Sequence, residues 1–485
     1  MANSLDHLGG LSSNAIGKGK VGEPPPRPQR KGLKVKAAIF FDGTGNNQNN
    51  ITKRLRDSTY MKPKGWQLWK SDSDYESYEQ FYSNVATLYF MHDIKAGGEP
   101  IVSVYMEGIG TSNDGPDDTS GGGFGAGPTG IVARVNRGIS DISTAVRKKL
   151  QKAGKGFFLE ELTVYAFGFS RGAAAARHFC ARRVQLRGGR NSLCRELNVE
   201  DKVVKLKFVG LYDTVSSYDP SGEETPAEPS NTSYIAKAAR HLPFRQGDAA
   251  FRDDVGELHL KMDDPTLERV VHLMAADEYR LNFSLTTIAS ALQQGKGFEL
   301  KLPGAHSDIG GGYQRVLAEE RIYGWDFPLK VVNFFKDRGW YGPGQLVNSV
   351  RYVGGGDSTP PHPVNIAIGR RPKLSSAYQY VGLSIMLKLA EKANSGMKFH
   401  SPNEGEQRQI KYLIPDNSFL GQIKNHLQGY AVANFGAGHT LVAPMPAPAY
   451  QTLRQNYLHL SWSDRLGFDM RFDEAGMPTR LRITG

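Results

Sequence analysis

LTVYAFGFSRGAAAARHF, residues 162–179, is the stretch from which the fold is read. Its first seven residues form a short β-rich apolar run. Gly168-Phe169-Ser170-Arg171-Gly172 follows and matches G-x-S-x-G, and Ala173–Ala176 then open a helical pattern. The five-residue pattern is weak evidence in a chain with 55 Gly. Its setting is stronger, because strand, sharp turn and helix in direct succession are what a nucleophile elbow requires. Flanking glycines let the turn pass close to its neighbours, and the small residues after it let the helix approach a sheet. An ordinary turn with a helix-capping serine is the competing reading of Ser170.

Working outward, β-rich runs alternate with helical patterns. Strands are expected at 36–42, 101–106, 204–213, around 269–274 and at 298–304, with helices around 75–93, 131–152, from Arg171 and around 326–336. Such alternation predicts an α/β fold, with a mostly parallel sheet covered by helices on both faces, of the α/β-hydrolase kind. The expected domains are a Pro/Gly-rich tail over 1–34, a hydrolase core over 35–340, and a C-terminal portion over 341–485 of helices and insertions that is open to membrane or partner contact. A polar insertion is expected at 219–231 and a linker or long loop at 354–363. The amphipathic helix 380–393 has the apolar face of a sheet-covering helix.

A serine nucleophile needs a base and an orienting acid. In α/β-hydrolase order the acid follows the serine and the histidine comes last. Asp213 ends the strand in FVGLYDTVSS, and His306 follows the strand before AHSDIGGGY, so both fall at the carboxyl edge of the sheet, where such folds build sites. His459, in NYLHLSWSD, and Asp308 are the alternative base and acid. The backbone N–H of Arg171 and those of Gly43 and Thr44, in the turn after the first strand, are the expected oxyanion donors, with 121–127 as another source or a mobile lid.

Other chemistries fit less well. FFDGT resembles the D-x-D-G-T pattern of haloacid-dehalogenase phosphatases, but Phe40 stands where their nucleophilic Asp would be. Asp42, Asp213 and Asp308 have oxygen ligands for a hard cation but no regular spacing. GGGFGAGPTG has neither the dinucleotide fingerprint nor the Walker lysine. No metal or cofactor is therefore expected.

The 485 residues carry 60 Lys and Arg against 49 Asp and Glu, a net charge of +11. The densest basic sets, 27–36 and 182–190, interleave no aromatics as a nucleic-acid stacking platform would, so no nucleic-acid partner is expected. A solvated basic face is the first reading of these sets, and weak attraction to an anionic lipid surface the second. Two cysteines, Cys180 and Cys194, provide neither a zinc site nor a disulfide framework. No run of about 18 apolar residues is present to cross a membrane, and the first 35 residues lack a secretory signal's apolar core.

Seven motifs occur in order: FFDGTGNN (40–47), EGIGT (107–111), GGGFGAG (121–127), GFSRGAAAAR (168–177), GLYDTV (210–215), LMAADEYRLNF (273–283) and LPGAHSDIGGGY (302–313). Together, over roughly Lys36 to Lys398, they resemble the α/β-hydrolase domain of the first family of type VI secretion lipase effectors. That resemblance implies an antibacterial phospholipase A with a Ser-Asp-His triad at Ser170, Asp213 and His306. It implies synthesis in the cytoplasm and delivery by the secretion needle to a neighbour's periplasm. Its implied partners are membrane phospholipids, a spike or tube component and a cognate immunity protein. A general carboxylesterase or thioesterase on soluble substrates, or a non-enzymatic interaction protein on a hydrolase scaffold, are the alternatives.

Overall fold

The computed structural model describes residues 30–57, 75–95, 98–118, 122, 125–184, 192–218, 258–323, 329–353, 362–400, 414–463 and 469–485. Its strands are β1 (Lys31–Phe41), β2 (Ile101–Met106), β3 (Phe157–Phe169), β4 (Val204–Tyr212), β5 (Arg269–Ala275), β6 (Leu285–Thr286), β7 (Gly297–Leu302), β8 (Val316–Tyr323), β9 (Leu346–Val353), β10 (His362–Ser375), β11 (Leu441–Val442) and β12 (Arg482–Ile483). Seven of them form the central sheet in the order β11-β7-β5-β4-β3-β1-β2, with every neighbouring pair parallel. This is the expected parallel α/β architecture of the α/β-hydrolase kind.

Alternation along the strands builds two cores, one on each face. Ala37, Ile39 and Phe41 of β1 join Val164 and Ala166 of β3 under the helices Ile131–Ala153 and Arg171–Ala181. Ala38 and Phe40 join Tyr165 and Phe167 on the other face, under Asn84–Met91 and Gln379–Lys392. Successive strand residues point to opposite faces, so strands buried on both sides read as continuous apolar runs. Helix Gln379–Lys392 is the sheet-covering helix its apolar face predicted, with Val381, Ile385, Met386 and Leu389 buried. No helix among the described residues is long and apolar enough to cross a membrane.

Several boundaries differ from expectation. The tail assigned to 1–34 gives way to β1 at Lys31, because the chain already pairs there with the start of β3, Lys31 with Phe157. The single helix expected around 75–93 is two, Glu76–Glu79 and Asn84–Met91, parted where Ser83 turns its hydroxyl onto the Ala86 N–H as a cap. An unexpected antiparallel sheet, in the order β8-β10-β9, joins the end of the expected core to the C-terminal portion, and His362 and Pro363 of the expected linker open β10. The Glu- and Arg-rich VLAEERIY of β8 conceals its strand, since helix formers mask the alternation. The insertion at 219–231 and residues 354–361 lie outside the described residues.

The basic set 182–190 is not a solvated face at its start. Arg182 and Arg183 are buried, with Arg182 donating to Asn136 Oδ1 at 2.7 Å and Arg183 pairing with Asp264 at 2.8 Å. They tie helices to loops inside the fold.

Candidate active site

β3 runs straight into helix Arg171–Ala181 through Ser170, which is held at φ 59° and ψ −130°. A non-glycine residue at positive φ is strained, and such strain persists only where surrounding contacts enforce it. Here Ser170 donates its N–H to Tyr212 O of β4 at 3.0 Å, and its carbonyl accepts from Ala173 N at 2.9 Å. The glycines on either side are required sterically. A Cβ on Gly168 would lie 2.4 Å from Gly172 O, and one on Gly172 would lie 2.2 Å from Asp42 O.

Asp213 follows β4 and also has positive φ, 43°. Its carboxylate is buried and fully engaged. Oδ2 accepts from His306 Nδ1 at 2.5 Å and Arg480 at 2.9 Å, while Oδ1 accepts from Ala275 N at 2.9 Å and Arg480 at 2.8 Å. The Arg480 cation and the His306 bond hold the Asp213 pKa far below the usual carboxylate range, overriding burial, which acts to raise it.

His306 opens the short helix His306–Gly310, between the rings of Phe169 at 4.6 Å and Phe283 at 5.0 Å. Burial lowers its pKa below 6.5, and the bond to Asp213 opposes that shift without cancelling it. A neutral imidazole whose Nδ1 faces a carboxylate carries its proton there, which leaves Nε2 with a lone pair. His306 Nε2 is buried and makes no hydrogen bond among the described residues. Ser170 and His306 both line one cavity of about 770 Å³, although no hydrogen bond joins them. Catalytic contacts of this kind often tighten only when substrate binds.

Asp308 partners His459, not His306. His459 Nδ1 lies 2.7 Å from Asp308 Oδ1, and its N–H donates to Oδ2 at 2.9 Å. The alternative acid and base therefore form a second pair, and His459 lines the same cavity. The expected oxyanion donors divide as well. Gly43 N–H donates to the side chain of Asp42 at 2.8 Å, so it is already used. Thr44 N–H makes no bond among the described residues, and Arg171 N–H begins the helix after Ser170. Arg171 donates from its side chain to Thr44 Oγ1 at 2.9 Å and to Gly122 O, joining the elbow to both glycine-rich turns.

The site also contains residues that sequence reasoning missed. Arg480 had no signal, as it lies in the last turns of the chain and far from every motif. Glu278, inside LMAADEYRLNF, accepts from His306 N–H at 3.2 Å and pairs with Arg280, whose cation lowers its pKa to about 2 against burial. Asp42, weighed in the sequence only as a cation ligand, accepts from Ser83 Oγ at 2.5 Å and Tyr105 OH at 2.6 Å, yet burial still raises its pKa to about 6. Among the described residues, no group of three or more His, Cys, Asp or Glu side chains is placed to hold a metal ion.

Ser170, strained at a strand–helix elbow, thus shares a cavity with the buried His306–Asp213 pair. Residues 181–325 match the family model of the type VI secretion phospholipase effector Tle1-like catalytic domain. The Tle1-like segment includes Asp213, His306 and Asp308, while Ser170 lies just ahead of it and His459 and Arg480 lie beyond. A solved structure of the Tle1 effector bound to the VgrG spike of the type 6 secretion system superposes with a TM-score of 0.57. It is 22% identical, and the match covers 90% of this chain and 85% of that one. An uncharacterized protein from Pseudomonas aeruginosa matches at a TM-score of 0.40 and 18% identity, covering 88% of this chain and 53% of that one. No curated protein matches significantly. Residues 181–325 thus resemble a Tle1-like catalytic domain, and the likeness to the Tle1 structure is one of fold.

Proposed function

We propose that the chain is a serine phospholipase A that hydrolyses an acyl ester of glycerophospholipid. The observation that carries this reading is the strained Ser170 sharing a cavity with the buried His306–Asp213 pair. Ser170 Oγ attacks the ester carbonyl carbon and transfers its proton to His306 Nε2. Asp213 orients the imidazole and stabilises the imidazolium that forms. Arg171 N–H and Thr44 N–H face the developing oxyanion. The tetrahedral intermediate collapses as His306 returns the proton to the departing lysophospholipid oxygen. Water then attacks the acyl-serine with His306 again as base, releasing the fatty acid.

The similarity to an effector solved on its VgrG spike supports a spike component as carrier. A periplasmic target and a cognate immunity protein belong to the same reading. The test is fatty-acid release from vesicles of phosphatidylethanolamine and phosphatidylglycerol, compared with a water-soluble thioester. Release from vesicles that is lost in Ser170→Ala supports a phospholipase. Turnover of the thioester alone would favour a general esterase and overturn the proposal.

A further inference from the structure

The cavity has a second polar region that the proposed triad does not use. His459 is buried, stacks on Tyr313 at 4.0 Å, and places Nδ1 on Asp308, while its Nε2 is buried without a partner among the described residues. A purely structural histidine this deep would cost less with both nitrogens bonded. Arg321 lines the same cavity and is tied to the neighbouring residue by donating to Leu460 O. Its Nε is also buried with no partner among the described residues. Glu319, the adjacent carboxylate, pairs with Arg371 as well as Arg321 and accepts Leu460 N–H at 2.9 Å, so it is compensated.

These two vacancies require the same chemistry. Guanidinium Nε–H only donates. An N–H at His459 Nε2 donates in the same way. Two N–H donors, each on a side chain with a carboxylate behind it, match an oxygen anion that offers acceptors alone. We infer that His459 and Arg321 form a subsite for the phosphodiester of the lipid substrate, fixing the head while an acyl ester reaches Ser170. This rests on the cavity being the phospholipase site proposed above. The phosphodiester of a glycerophospholipid is a few bonds from its esters, a span that a cavity of about 770 Å³ accommodates.

The test measures binding in the Ser170→Ala protein, so no turnover is needed. Calorimetry compares dihexanoyl phosphatidylglycerol, dihexanoylglycerol and the acyl-free glycerophosphoglycerol. The phospholipid should bind at least about tenfold more tightly than dihexanoylglycerol, as expected for charge-assisted bonds. His459→Phe, which keeps a ring against Tyr313, and Arg321→Gln should each reduce that preference to less than about threefold. A preference unchanged in both variants would overturn the inference. So would an equal loss for both lipids, which marks a structural role, or glycerophosphoglycerol binding as tightly as the lipid, which marks a free-phosphate site. If neither the phospholipid nor dihexanoylglycerol binds, the reading of the cavity as a phospholipase site fails. If dihexanoylglycerol binds but the phospholipid gains nothing over it, only the inference fails.

Discussion

Two His–Asp pairs face one cavity, and they are built differently. His306–Asp213 belongs to the central sheet, since Asp213 follows β4 immediately beside the Ser170 elbow, and Arg480 and Ala275 N–H hold its carboxylate from outside. His459–Asp308 belongs to a loop and a short helix. Asp308 accepts from Ala305 N–H and from the backbone and ring of His459, with no arginine on it among the described residues. Asp213 and Asp308 both follow Ser170 in the chain, so order alone does not separate them. What separates them is the strand end each borders. Parallel pairing of β3 with β4 places Asp213 at the elbow, whereas Asp308 braces the turn that carries His306.

Ser170→Ala gives the largest expected effect, a fall in fatty-acid release on the order of ten-thousandfold or more with little change in Tm. If more than about a tenth of the activity remained, neither pair would be serving this serine. Next, His306→Ala should cost about a thousandfold or more in kcat/KM on phospholipid, against roughly ten- to a hundredfold for His459→Ala. Losses in the reverse order would exchange the roles of the two pairs.

Arg480→Gln sharpens the comparison through stability and pH. It leaves the buried Asp213 carboxylate with fewer donors and should cost about 3 kcal/mol in urea unfolding. Activity on the acidic side needs His306 unprotonated, and its lowered pKa puts that limb below pH 6.5. Removing the Arg480 cation makes the imidazolium easier to form, so the acidic limb of kcat/KM should move to higher pH. A shift to lower pH, or none, would detach Arg480 from the pair.

The smallest effect is on stability in acid. Glu278 has a folded pKa of about 2 against an ordinary 4.5. Its ionised form therefore stabilises the fold above about pH 4.5, and that contribution is lost as pH falls towards 2. Glu278→Gln should flatten the stability–pH curve in that window, as read from urea midpoints. Asp42 has the opposite sign, because its pKa is raised to about 6 from 3.8, so ionising it costs stability as pH rises through that range.

Much of this was legible in the chain because apolar runs and glycines carry direct steric meaning. Residues 162–179 predicted the elbow, and the Cβ clashes at Gly168 and Gly172 give the reason. Asp213 and His306 were placed by the strand ends they follow, although pairing each acid with its base needed three dimensions. Gly43 was misjudged because the return of Asp42 onto its neighbour's N–H is a side-chain choice that no spacing reveals. Arg480 was invisible for a related reason. It reaches Asp213 because β12 pairs with β6, a contact between segments distant in sequence that has no local pattern. The antiparallel sheet β8-β10-β9 stayed hidden behind charged strands that follow neither periodicity cleanly.

The most direct test of the central claim is fluorophosphonate labelling of the folded protein, read by intact mass and peptide mapping. The account predicts a single adduct, on Ser170, formed far more slowly in His306→Ala than in His459→Ala. An adduct on another residue, no adduct on folded protein, or equal slowing in the two histidine variants would contradict it.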